Sequence, residues 1–159
     1  MKQRLCVGLV VAATCGAAAA GAFAAAHGTV TARVGTLRFS YPARFAHLDF
    51  PQAVLVADYR LSKDSPTVRT ATFPAEGVVF EVLREPKLDH PIPAPTVRFP
   101  LSLDRLGPSA PHPSGQTWER RFAFRGAVYL VVVWYGKTAS ERDRAAVAAI
   151  VTSVRATHL

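Results

Sequence analysis

Apolar and polar side chains alternate along much of this chain, and the alternation predicts strands. Over residues 36–41, Leu37, Phe39 and Tyr41 are separated by Arg38 and Ser40, the period of a strand with one buried face, and Pro42 ends it. Residues 53–61 alternate again, with Leu55, Ala57, Tyr59 and Leu61 on one side and Asp58 and Arg60 on the other. Lys63-Asp64-Ser65-Pro66 has turn chemistry, and residues 68–73 are expected to add a short edge strand. Residues 78–84 are β-branched and aromatic between Gly77 and Pro86, which predicts a further strand. Residues 117–125 place Trp118, Phe122 and Phe124 on one face. Residues 127–135 are almost wholly apolar, as in a central strand covered on both faces. Only Arg125-Gly126 separates these two runs, a two-residue hairpin turn.

Ser140-Glu141-Arg142-Asp143 then resembles a capping sequence, and Val147, Ile150, Val151 and Val154 follow at helical spacing. Roughly the last 18 residues are therefore expected to form an amphipathic helix lying on the sheet. The fold class is α+β: an antiparallel sheet of about five or six strands packed by a C-terminal helix. Between the strands, residues 86–115 hold eight of the chain's 12 prolines. Proline removes backbone donors and fixes φ, so this stretch reads as a long loop. Val97, Phe99, Leu101, Leu103 and Leu106 are expected to pack its second half onto the body.

The first 26 residues follow a different pattern. Lys2 and Arg4 precede an apolar run over residues 5–20, and small residues surround Ala22-Phe23-Ala24. That is the layout of a cleavable secretory signal peptide, which makes residues 27–159 a single exported α+β domain in the cell envelope or beyond. The strongly apolar part is too short to span a bilayer. Lipid attachment at Cys15 fits less well, since Ala12 and Thr14 stand where such signals carry Leu and then Gly or Ala. Cys6 and Cys15 both lie in the signal region, so the exported domain has neither disulfide nor thiol nucleophile.

Setting aside Lys2 and Arg4 leaves 17 basic and 11 acidic side chains, a net charge of +6. A basic exported domain is drawn to anionic envelope components, to the surface of a membrane or to an acidic protein partner. Its basic residues are dispersed and accompany no recognition motif, which argues against nucleic acid. No Gly-x-Ser-x-Gly, Ser-x-x-Lys or His-Glu-x-x-His occurs, and the five histidines include no pair at helical ligand spacing. No metal, cofactor or catalytic residue is therefore assigned. The candidate binding surface is Arg120, Arg121 and Arg125 around the hairpin, with Trp118 and Tyr135 close by; alternation puts Arg121 and Arg125 on one face. His90 and His112, each followed by proline, are the loop's candidates.

Thr36-Leu37-Arg38-Phe39-Ser40-Tyr41-Pro42-Ala43-Arg44-Phe45 resembles the opening strand of the PsbP-like fold. The ending Ala149-Ile150-Val151-Thr152-Ser153-Val154 resembles that fold's last helix, and residues 126–136 the central strand before it. Phe45 stands where the family often has Trp, and the proline-rich connection is long for it. The resemblance implies a binding scaffold rather than an enzyme. Characterised members include an extrinsic subunit of photosystem II and a partner of the Ran GTPase, and exported actinobacterial proteins of unknown function share the fold. It transfers no ligand residue, because no site motif matches. The function expected is thus a non-enzymatic exported domain that binds an envelope component or a protein partner. The readings left open beside it are a hydrolase of wall carbohydrate using Glu81, Glu85 or Glu119, and a binder of a small apolar ligand.

Overall fold

A computed structural model describes residues 28–61, 73–86, 93–109 and 114–157. The signal region, His90, His112, the turn at 63–66 and most of the edge strand expected at 68–73 lie outside the described residues.

Among the described residues, nine strands and one α-helix follow in chain order: β1 (Thr29–Val34), β2 (Leu37–Pro42), β3 (Ala46–Phe50), β4 (Ala53–Ala57), β5 (Val78–Arg84), β6 (Gly107–Pro108), β7 (Gly115–Phe124), β8 (Ala127–Gly136), α1 (Glu141–Ser153) and β9 (Arg155–Ala156). Six strands form the main sheet in the order β3-β4-β5-β8-β7-β6, and three form a second sheet in the order β1-β2-β9. All the ladders between named strands are antiparallel. The α+β class and the C-terminal helix are as the sequence predicts; the second sheet is additional.

The small sheet and α1 together cover one face of the main sheet. Leu37, Phe39 and Tyr41 of β2 point inward, as their alternation requires, and meet Phe80 of β5 and Ile150 of α1 in the principal core. The Phe39 and Phe80 rings meet edge to face at 4.9 Å. Leu101 and Leu106 are buried in this core and Val97, Phe99 and Leu103 pack against it, so the second half of the proline-rich loop does return to the body. On the opposite face of the main sheet, Trp134 lies fully buried against Phe73, with ring centroids 4.5 Å apart. Val79, Leu130 and Val132 complete this second cluster. Residues on both faces of β8 are thereby buried, which is why its sequence is apolar without alternation.

Local chemistry fixes the ends of the elements. β4 stops at Ala57, earlier than the alternation suggests, because Asp58 leaves the ladder: its Oδ1 accepts the Val78 N–H at 2.9 Å. Ser140 caps α1, its hydroxyl accepting the Asp143 N–H at 3.1 Å. The helix does not run to the end of the chain. It closes at Ser153, whose Oγ accepts the Ser40 N–H at 2.9 Å, and after Val154 the chain joins β2 as β9. β1, β3, β6 and β9 are not among the strands expected from the sequence; β6 lies within the stretch 86–115 expected as loop, where Gly107 and Pro108 pair with the outer edge of β7.

Candidate anion-binding face

The arginines singled out in the sequence do not share one free surface. Cross-strand partners share a face, so Arg121, opposite Leu130, looks to the side of the main sheet that carries Trp134. There it grips Glu85: its Nε donates to both carboxylate oxygens at 2.8 and 3.0 Å, and its Nη2 to Oε2. This pairing holds the guanidinium pKa above its ordinary value. Arg120 looks to the other side, where its Nη1 donates to the Arg105 carbonyl, and its Nε is buried without a hydrogen bond.

Arg125 is not in a strand at all. It and Gly126 both have positive φ, +48° and +73°, the signature of a type I′ turn. Strand alternation therefore stops at Phe124, and the expected pairing of Arg125 with Arg121 on one face does not arise. Instead the Arg125 Nη1 donates to the Thr157 carbonyl at 3.0 Å, with the guanidinium 5.3 Å from the Phe124 ring centroid.

Trp118 and Tyr135 do meet, edge to face at 5.2 Å, but they pack into the principal core rather than form an open platform. The Tyr135 hydroxyl donates to the Arg144 carbonyl, and burial pushes its pKa up to about 12. The carboxylates do not form an open cleft either. Glu81 and Glu119 flank Val132 in one cross-strand row, and Glu81 is only 3% exposed. Among the described residues no group of three His, Cys, Asp or Glu side chains could hold a metal ion, and no helix is long and apolar enough to cross a membrane.

A different set of arginines is brought together by the small sheet. Val34 pairs with Leu37 across a Gly35-Thr36 turn, and Gly35 has a φ of +56°. A side chain at Gly35 would strike the Tyr129 hydroxyl, placing a Cβ only 2.5 Å from it. That hydroxyl accepts the Thr36 N–H at 3.0 Å, so a fully buried tyrosine anchors the turn. The register this sets puts Arg33 directly opposite Arg38. On the other side of β2, Arg38 lies directly opposite Arg155.

Three arginines thus stand in one row across three strands. Leu37, Phe39 and Tyr41 take the buried face of β2, so Arg38 and its neighbours in the row take the outer one. Arg33 and Arg38 are exposed, and neither Arg33, Arg38 nor Arg155 forms an ion pair among the described residues. Arg155 is held in place by its Nη1, which donates to the Thr152 and Val154 carbonyls at the C-terminal end of α1. Thr31 and Ser40 form the adjacent cross-strand pair on the same face, with hydroxyl oxygens 3.3 Å apart. Arg84 lies beside Gly35 and Arg125 beside Thr157, two more exposed cations that form no ion pair among the described residues, at the same end of the molecule.

Directly opposed like charges destabilise a sheet by roughly 0.2–1 kcal/mol per pair. What such a row can do is hold anions. Guanidinium groups present several fixed donors each and match phosphate and carboxylate oxygens in pairs. Half of this arrangement has a sequence signal. Arg33-Val34-Gly35-Thr36-Leu37-Arg38 is a two-residue turn between β-rich residues, with arginine at mirror positions. Arg155 has none, since its place follows from a pairing more than a hundred residues away in the chain.

The chain matches no protein-family model, and a comparison with curated proteins finds no match.

Proposed function

We propose that this chain is an exported, non-enzymatic binding domain of the PsbP-like kind, which attaches to an anionic component of the envelope through the outer face of its small sheet. The observation that carries this reading is the row Arg33–Arg38–Arg155, none of which forms an ion pair among the described residues. It takes the place of the hairpin arginines expected from the sequence, since Arg121 is occupied by Glu85, Arg120 has its Nη1 on the Arg105 carbonyl and its Nε buried, and Arg125 stands in the turn, facing neither of them. Binding rather than turnover suits this face. The row offers fixed guanidinium donors, and β1 and β2 carry no carboxylate or imidazole beside them. The signal-like first 26 residues and the net charge of +6 that remains once Lys2 and Arg4 are set aside support export and an acidic counterpart. A central antiparallel sheet closed by a capped C-terminal helix supports the PsbP-like assignment.

The test is recovery of the tagged protein with envelope extract, for the wild type and for Arg33→Gln/Arg38→Gln. Loss of association in the double variant is expected, with its melting temperature at or above that of the wild type. Undiminished association would overturn the assigned face.

A further inference from the structure

Resting on that reading, we infer that the arginine row takes a linear phosphodiester polymer of the polyol-phosphate type, lying across the strands so that successive phosphates meet Arg33, Arg38 and Arg155. The geometry of the face argues for a chain. Neighbouring strands are about 4.8 Å apart, so the row extends roughly 10 Å in a straight line perpendicular to the strands. Its long stems let the guanidinium groups splay to follow the spacing of a flexible backbone that carries one charge on every unit. Arg38 is the central contact, with Arg33 and Arg155 on either side. Arg155 spends its Nη1 on carbonyls at the end of α1, while its Nη2 and Nε form no hydrogen bond among the described residues and remain as donors. The Thr31 and Ser40 hydroxyls lie next along the same face and suit the hydroxyl groups of a polyol.

The other anionic macromolecules fit this face less well. Attachment to a lipid surface combines charge with buried apolar area, and three basic residues alone contribute only about 3 kcal/mol. The outer face of β1 and β2 presents Thr29, Thr31, Arg33, Arg38, Ser40 and, at its end, Pro42, with no large aliphatic or aromatic side chain among them. Val30, an exposed large hydrophobic residue, belongs to the other side of β1 by alternation. Single-stranded nucleic acid gains much of its affinity from bases stacking on aromatic rings, and this face carries no aromatic residue. A hydrated, flexible chain of phosphodiesters needs neither.

The experiment measures binding of the full chain to a synthetic glycerol-phosphate oligomer over a range of salt. Each phosphate contact to a flexible chain contributes about −0.7 to the slope of log K against log salt, so three contacts give a slope of about −2. Affinity is then expected to fall about 15-fold between roughly 50 and 200 mM salt, and only about 3-fold for Arg33→Gln/Arg38→Gln, which keeps one contact. Thr31→Glu, which sets a carboxylate on the same face without removing an arginine, is expected to weaken binding as well.

Phosphatidylglycerol vesicles and an oligothymidylate of equal charge are the comparisons. Vesicle binding that depends on Arg33 and Arg38, with no binding of the oligomer, would overturn the polymer and leave the anion-binding domain standing. Tighter binding of oligothymidylate than of the glycerol-phosphate oligomer would overturn it in favour of nucleic acid. Indifference of every ligand to both variants would overturn the polymer and the face together.

Discussion

At the scale of single residues, buried polar groups do the positioning. Tyr129 is fully enclosed, yet its hydroxyl meets both the N–H and the hydroxyl of Thr36, so the turn that aligns Arg33 with Arg38 is tied to the main sheet from below. Asp58 serves the other end by taking the Val78 N–H, but at a cost in charge. Burial pushes its pKa up and nearby Asp143 adds to this, while the Val78 N–H and Arg44 oppose it. The folded chain therefore holds a proton on Asp58 more readily than the unfolded chain does. Its contribution to stability is complete below the unfolded pKa of about 3.9 and is lost as pH rises through the higher folded value. Asp58→Asn keeps an oxygen for the Val78 N–H and carries no charge at any pH. The variant is expected to melt above the wild type at pH 7 and to lose that advantage at pH 3. Thermal melts at the two pH values check this; an advantage that persists at pH 3 would mean that the gain is not electrostatic.

The elements differ in how openly the sequence declares them. β7 and β8 are legible because each carries a long β-rich run and only two residues separate them, and the turn between them has the geometry that such spacing demands. α1 is legible through its cap and its spacing of Val147, Ile150 and Val151. β1 and β3 carry the alternation too, with Val30, Ala32 and Val34 in one and Ala46, Leu48 and Phe50 in the other set between polar side chains, but as outer strands of six and five residues they give a weaker signal than their longer neighbours. β9 is two residues long and exists only because β2 offers it an edge. The same limit applies to the site. Alternation carried through Arg125 gives a false pair with Arg121, since it ignores the turn that its own neighbour Gly126 signals. Arg125 adopts a left-handed conformation that costs an ordinary residue about 1–2 kcal/mol, and asparagine tolerates it better. Its hydrogen bond to Thr157 is exposed and returns only part of that cost. Arg125→Asn is therefore expected to raise stability by roughly 0.5–1 kcal/mol in urea unfolding. A decrease would show that the contacts with Thr157 and the Phe124 ring outweigh the strain.

Across the whole molecule, charge is distributed against stability at one end. Arg44 pairs with Asp143 at 2.8 Å, and Arg121 with Glu85, so carboxylates are available to arginines elsewhere. Arg33, Arg38 and Arg155 are instead placed side by side, and neither of the first two has a carboxylate among the described residues. Packing does not require this, because the core side of β2 is filled by Leu37, Phe39 and Tyr41 whatever occupies position 38. A row that only solvated the sheet would be improved by any neutral polar side chain at its centre. Arg38→Gln removes both opposed pairs at once, and is expected to stabilise the fold by roughly 0.4–2 kcal/mol at low salt. The difference should shrink as salt rises toward 1 M, where exposed charges more than about 3 Å apart are screened from one another. Paired melts of the wild type and Arg38→Gln across that range decide the matter. If the variant is the less stable at every salt concentration, the row is a structural asset and its repulsion no longer points to a ligand. If it is the more stable and binds anions less well, the instability of this face is the counterpart of its affinity.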